Sequence, residues 1–224
     1  MSIHDGHRQR VRERFLKHGL DNFDDITALE LLLFYARPQG DTNPLAHALL
    51  NRFGSLGAVL DAPVSELVKI PGVRETTATL IKLIPALSRR YLLSQTSGND
   101  PVDTPIKAGH FFIPYFLHAR EELAYALFLD AKRCPLGCVE LSRGVVNAVE
   151  INTRRLASMA LERNASYVML AHNHLSGVAL PSMEDEESTR RLAEALKLIG
   201  VDLCDHIVVA GSDYVSMREC GMLR

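Results

Sequence analysis

The chain has 224 residues, of which 47% are hydrophobic and 23% are charged, and its formal net charge at pH 7 is -2. This balance is typical of a globular protein whose length suits one large domain or two modest ones. The small net charge excludes a general basic field that would bind nucleic acid over the whole surface, so any such binding depends on a local patch.

The first part of the chain predicts a small all-α domain over residues 1–95. Good helix formers are concentrated in residues 24–36, and Pro38 and Gly40 end that segment. Further helices are predicted at residues 44–54, 64–69 and 75–91. A polar stretch at residues 96–104 then predicts an interdomain linker.

The rest of the chain, residues 105–224, predicts an α/β domain. Apolar runs that predict strands alternate with segments that predict helices. The strands are expected at 123–129, 138–141, 167–171, 201–210 and 214–217, and the helices at 153–163 and 182–199.

The four cysteines form no zinc-ribbon pattern, because Cys134 and Cys138 are separated by three residues and no second close pair exists. We interpret all four as reduced thiols of a cytoplasmic protein. The N-terminal arginines are not followed by the apolar core of a signal peptide, and no apolar run approaches a membrane span. No membrane partner is therefore expected.

The turn Ile70-Pro71-Gly72-Val73 between two predicted helices resembles a helix-hairpin-helix, whose backbone N–H groups can bind a DNA phosphate regardless of base sequence. Such hairpins usually carry a second glycine where this chain has Arg74, and arginine disfavours positive φ. A plain packing turn is the alternative. The basic stretch at 7–14, with Lys17, has the same two interpretations, a solvated helix face or an arm that contacts phosphates.

The strongest functional signal is the pair His172 and His174 at the end of a predicted buried strand. Side chains at i and i+2 project from the same side of a strand, so both imidazoles can reach one ion. Asp185, a short loop later, would supply a third ligand. Three protein ligands leave a coordination position of zinc open, as in catalytic sites.

Structural alternatives exist for the same residues. The two histidines could be bonded to loop backbone. Ser182-x-x-Asp185 before a helix is a capping-box pattern, and a carboxylate that caps a backbone amide need not hold a metal. The spacing alone favours the cap, whereas the position of Asp185 behind the histidine pair favours the metal.

His-x-His, seven residues, Ser, two residues and Asp is the JAMM signature of MPN-domain metalloproteases, and here it runs from His172 through Ser182 to Asp185. The wider sequence resembles the RadC family, the bacterial "DNA repair protein RadC" group. This likeness extends over almost the full chain and includes Gly6-His7-Arg8, Asp41-Thr42-Asn43-Pro44, Leu127-Phe128-Leu129-Asp130 and Asp205-His206-Ile207. One residue departs from the family pattern: Leu175 stands where a proline usually fixes the loop.

The resemblance implies an MPN domain with a mixed sheet and flanking helices, which binds Zn²⁺ through His172, His174 and Asp185 and hydrolyses a peptide or isopeptide bond. Ser182 would hydrogen-bond the developing oxyanion. An upstream glutamate would act as the general base. Alignment on residues 127–130 selects Glu122, with Glu121 as the alternate.

The resemblance names no substrate, so an unidentified peptide or protein is expected. A different class of function also fits the sequence: a DNA-binding accessory protein of DNA repair, in which the MPN domain is mainly a scaffold.

Asp205 and His206 have two interpretations as well. His206 could orient a metal-bound histidine, but the sequence favours the simpler interpretation that His206 is a polar residue at the start of a strand.

Overall fold

In a computed structural model of the chain, residues 3–96, 100–144 and 152–223 are described. The chain divides into two compact units, an N-terminal unit, Met1–Ser88, and a C-terminal unit, Arg89–Arg224. Part of the predicted linker, residues 97–99, lies outside the described residues, and the linker at 96–104 stays a prediction. Among the described residues, no helix combines the length and apolar character that a membrane crossing needs.

The N-terminal unit is helical, as the sequence predicts. Its elements are α1 (Ile3–His18), α2 (Asp25–Ala36), α3 (Asn43–Phe53), α4 (Leu56–Asp61), α5 (Val64–Leu67) and the start of α6 (Glu75–Thr96). Helix α2 begins where the Asp24 side chain accepts a hydrogen bond from the Thr27 N–H, which satisfies an otherwise unpaired donor. Fully buried side chains from α2, α3 and α6, including Leu33, Leu49 and Ile81, form its core.

Arg8, in the basic stretch of α1, is a structural residue. Its guanidinium is buried and donates to the carbonyl oxygens of Arg37, Pro38 and Gly40 at 2.7–2.9 Å. This arginine therefore ties α1 to the end of α2 and is not available to a phosphate, while Arg12 of the same stretch remains exposed.

The C-terminal unit contains a five-stranded mixed sheet in the order β2-β1-β3-β4-β5. Strands β3 and β4 are parallel and all other neighbouring pairs are antiparallel. The elements are α7 (Pro105–Phe116), β1 (Leu123–Leu129), β2 (Pro135–Arg143), α8 (Thr153–Glu162), β3 (Tyr167–Asn173), α9 (Met183–Lys197), β4 (Asp202–Ala210) and β5 (Asp213–Ser216). The predicted α/β class with a mixed sheet and flanking helices is confirmed.

Both faces of the sheet are covered, which explains why β1 is a continuous apolar run. Alternate β1 residues, such as Leu127, pack with Phe112 of α7 in one core cluster. The residues between them, such as Phe128, pack with Leu156 of α8 and Leu192 of α9 in a second cluster. Helix α9 thus lies on the second face and connects the parallel strands β3 and β4.

Candidate metal centre

The two histidines end β3 on the face that α9 covers. His172 follows Val168 and Leu170 at the two-residue spacing that keeps side chains on one face, and both of those residues belong to the α9-side core. The His174 N–H donates to the Val209 carbonyl at 2.8 Å, which extends the β3–β4 pairing one residue beyond the strand. This pairing holds His174 in the same alternation as His172.

Asp185 and Ser182 form the N-terminus of α9 as a capping box. The Asp185 N–H donates to Ser182 Oγ at 3.1 Å, and Asp185 Oδ2 accepts from the Ser182 N–H at 2.8 Å and from the Ser182 hydroxyl at 2.6 Å. The cap is therefore present, and it is compatible with a ligand role, because the same carboxylate also faces both imidazoles.

The three predicted ligand residues come together. His172 Nε2 lies 3.3 Å from Asp185 Oδ1, and His174 Nε2 lies 3.4 Å from Asp185 Oδ2. The two Nε2 atoms are 2.9 Å apart, and the candidate ligand atoms all lie within 4.8 Å of one another. Zinc–ligand bonds of roughly 2.0–2.1 Å in a tetrahedron separate ligand atoms by about 3.3 Å, so this His-His-Asp set fits one zinc ion.

Burial by itself would raise the pKa of Asp185, but hydrogen bonding and positive charge at His172, together with the bonds from Ser182, hold that pKa well below its usual range. The carboxylate is thus ionised at neutral pH. An ionised carboxylate beside two imidazoles is the charge state that a divalent cation requires of this donor set.

His206, which the sequence favours as a polar residue at the start of a strand, directly contacts the site. Its Nε2 lies 2.8 Å from His172 Nδ1, and its Nδ1 lies 2.6 Å from the Thr189 hydroxyl of α9. Burial, then the nearby charge of His172, lowers the pKa of His206 well below its usual value, so the ring is neutral. The signal for this residue was the tendency of ligating histidines to bond a partner through the second ring nitrogen.

Asp205 has the structural role that the sequence favoured. Its carboxylate accepts from the Ser216 hydroxyl at 2.6 Å and from the backbone N–H groups of His206 and Arg218. These bonds attach β5 and the following turn to β4.

The two candidate bases differ in their partners. The Glu121 carboxylate accepts from Arg143 at 2.9 Å, whereas the Glu122 side chain has no hydrogen-bond or ion-pair partner within the described part of the chain. Asn173, between the two histidines, accepts from the Leu123 N–H and donates to the Glu121 carbonyl. The backbone of residues 121–123 is therefore held beside the end of β3.

Leu175, the departure from the RadC pattern, is 53% exposed in the loop between His174 and α9. The ligand residues on both sides of the loop keep the geometry described above, so the loop does not need proline to bring Asp185 to the histidines.

A model of the RadC-like JAB domain family matches residues 102–222. A UPF0758 protein of Ruegeria pomeroyi is 35% identical over 217 residues, which covers 97% of both chains. The chain belongs to the RadC family. A UPF0758 protein of Idiomarina loihiensis is 34% identical over 215 residues, or 96% of both chains. The names of these relatives state neither a reaction nor a ligand, so RadC membership fixes the fold and leaves the reaction to be inferred from the site.

Proposed function

We propose that this RadC chain is a zinc-dependent hydrolase of JAMM type that cleaves a peptide or isopeptide bond in a protein substrate. The observation that carries the proposal is the convergence of His172, His174 and Asp185 within one zinc coordination sphere. Ser182, adjacent in the same cap, adds an exposed hydroxyl at the edge of that cluster.

His172, His174 and Asp185 would hold the metal and take no other part. Zinc, when bound, supplies a water of lowered pKa and polarises the carbonyl of the amide. The buried positions of His172 and Asp185, 3% and 5% exposed, keep these two ligands away from bulk solvent. The half-buried His174 leaves an approach for the substrate.

Glu122 is the base that the β1–β3 register favours. Ala124 pairs with His172 without any register shift in that pair of strands. Because side chains alternate between the two faces of a sheet, Glu122, two residues before Ala124, would lie on the same face as Ala124 and next to His174. Glu121 would lie on the opposite face, with its partner Arg143. The Glu122 carboxylate would accept the proton of the attacking water and pass it to the nitrogen of the leaving amine.

Ser182 would donate its hydroxyl to the oxygen of the amide as negative charge develops there. In the structure that hydroxyl donates to Asp185 Oδ2. The same oxygen also accepts from the Ser182 N–H, so it keeps one donor when the hydroxyl turns to the substrate. Loss of one such oxyanion donor typically costs about 3 kcal/mol of transition-state stabilisation.

The proposal is tested with a bacterial lysate whose protein amines have been chemically blocked. Zinc-loaded wild-type protein is expected to create new amines, which are labelled and identified by mass spectrometry. Glu122→Gln should lower the rate at least about 100-fold, while the matched variant Glu121→Gln should cleave as wild type does. Wild-type protein that holds zinc and yet releases no amine from any protein would contradict the proposal.

A second candidate function, DNA binding, is favoured by a cavity in the N-terminal unit. This cavity, of about 590 Å³, is lined by Arg37 and Arg74 around the hairpin glycine Gly72. Gly72 has φ +95°, as a hairpin turn requires, and Arg74 is not among the residues with positive φ. Arginine at this position therefore causes no backbone strain and adds a guanidinium beside the N-terminus of α6.

Fluorescence anisotropy of a labelled DNA duplex with the full chain tests this second candidate. The affinity should fall steeply as salt rises, should drop in Arg74→Gln, and should not change with chelator or in His174→Ala. Absence of binding at low salt would remove the candidate without affecting the hydrolase proposal.

A further inference from the structure

A chain of three side-chain contacts runs from the candidate ligand His172 into the core. His172 Nδ1 lies 2.8 Å from His206 Nε2, and His206 Nδ1 lies 2.6 Å from Thr189 Oγ1. The Thr189 hydroxyl donates to the sulfur of Met217 at 3.7 Å. His172, His206, Thr189 and Met217 are each at most 3% exposed, so no bulk water competes for these contacts.

A metal ion would set the direction of the hydrogen bonds along this chain. His172 Nε2 faces Asp185 and His174, so a zinc ion held by this atom would leave the ring proton on Nδ1. His172 Nδ1–H would then donate to His206 Nε2, and His206 Nδ1–H would donate to the Thr189 hydroxyl oxygen.

We propose that His206 and Thr189 are positioning residues that hold the His172 ring with Nε2 directed at the metal position and accept the hydrogen bond of its Nδ1–H when zinc is bound. The inference rests on the proposed zinc site and goes beyond it, since it concerns residues that neither touch the ion nor contact substrate. The acceptor is an imidazole, where metal-bound histidines more often use a carboxylate, a carbonyl or water.

The same contacts also fix the third ligand. Thr189 follows Asp185 by four residues, so both side chains lie on one face of α9, one turn apart. The β4 residue His206 thus binds the ligand strand β3 on one side and the ligand helix α9 on the other. Its loss would loosen the separation between His172 and Asp185 as well as the orientation of the His172 ring.

The tautomer is measured directly by long-range ¹H–¹⁵N NMR of the full-length protein with chelator present and after zinc addition. With zinc bound, both His172 and His206 should carry the proton on Nδ1, and the Nε2 signal of His172 should shift relative to the protein in chelator. A proton on Nε2 of His172 or of His206 in the zinc-loaded protein would overturn the inference.

Zinc affinity, measured by competition with a chromogenic chelator, provides the second readout. His206→Leu and Thr189→Val should weaken zinc binding, His206→Leu by roughly 10–100-fold. His206→Gln, whose amide can accept from His172 and donate to Thr189, and Thr189→Ser should restore affinity to near wild type. The exposed His110, changed to Gln, serves as the control and should bind zinc normally.

The outcomes separate the two proposals. If wild-type protein binds no zinc, the proposed function fails and the positioning role falls with it. If wild-type protein binds zinc and His206→Leu, folded by circular dichroism, binds it equally well, the positioning role is contradicted. Should His206→Leu not fold, the Thr189→Val and Thr189→Ser pair gives the same decision.

Discussion

Ser182 and Asp185 bond each other in both directions, and one oxygen of Asp185 accepts both the backbone N–H and the hydroxyl of Ser182. The other oxygen of that carboxylate lies 3.3 Å from His172 Nε2. A single side chain therefore begins helix α9 and completes the candidate ligand set.

Two substitutions at Asp185 separate these roles. Asp185→Asn keeps an oxygen that can accept from the Ser182 N–H, so stability in chelator should change little, while zinc binding should be largely lost because the charge is gone. Asp185→Ala should also lose the acceptor of the Ser182 N–H, while the Ser182 side chain still caps the helix, at a cost of about 1 kcal/mol in the free energy of unfolding. Urea unfolding in chelator and zinc analysis measure the two effects. Equal destabilisation by Asn and Ala would contradict this division.

Gly109 in α7 is required by close packing against β5. A Cβ at this position would lie 2.4–2.6 Å from ring atoms of Tyr214. Gly109→Ala should therefore destabilise the C-terminal unit by about 1–3 kcal/mol through overpacking. In the double variant with Tyr214→Val the loss should be smaller than the sum of the single losses, because the clash is gone. Additive losses in thermal unfolding would show that the two residues do not clash.

Arg8 is predicted to act in folding and Arg12 on the surface. Removing the guanidinium in Arg8→Met leaves the carbonyls of Arg37, Pro38 and Gly40 without this donor and should cost about 2–3 kcal/mol of stability. The exposed Arg12, changed to Gln, should have little effect on unfolding. If Arg8→Met melts as wild type does while DNA affinity falls, Arg8 is a phosphate contact and the structural assignment is wrong.

Cysteine labelling reports burial in the C-terminal unit. Burial raises the pKa of the Cys138 thiol to about 12 and that of Cys204 to about 11. Only the thiolate reacts with iodoacetamide, so both should stay unmodified in the native protein at pH 8.5, whereas the exposed Cys220 is labelled. In urea all four should react, with rates that rise as pH approaches about 8.5. Fast native labelling of Cys138 would contradict its burial.

The sequence predicts those elements whose structure depends mainly on neighbouring residues. The apolar runs of β1 and β3 and the cap signal before α9 are found where the sequence indicates them. Helix α7 was not predicted although Thr104 and Pro105 form a helix-start signal, because Gly109 and Pro114 inside the helix both lower helix propensity. Tertiary packing of its aromatic residues, such as Phe112, against the sheet stabilises it instead.

The candidate site also contains both residues that the sequence identifies and a residue whose role depends on tertiary structure. The spacing of His172, His174, Ser182 and Asp185 identified residues that do converge. The sequence pattern leaves capping and metal binding by Asp185 as alternatives, whereas in the structure Oδ2 accepts from Ser182 and Oδ1 faces His172. His206 lies 34 residues from His172, and its contact depends on the parallel pairing of β3 with β4, which no local pattern specifies.

Zinc content shows whether His172, His174 and Asp185 hold a metal ion. Protein purified without chelator, or loaded with zinc and dialysed, is analysed by elemental mass spectrometry together with His172→Ala and the control His110→Gln. We expect about one zinc per chain in the wild type and the control, and almost none in His172→Ala. Folded wild-type protein that retains no zinc under these conditions, or His172→Ala that retains as much as the wild type, would contradict the account.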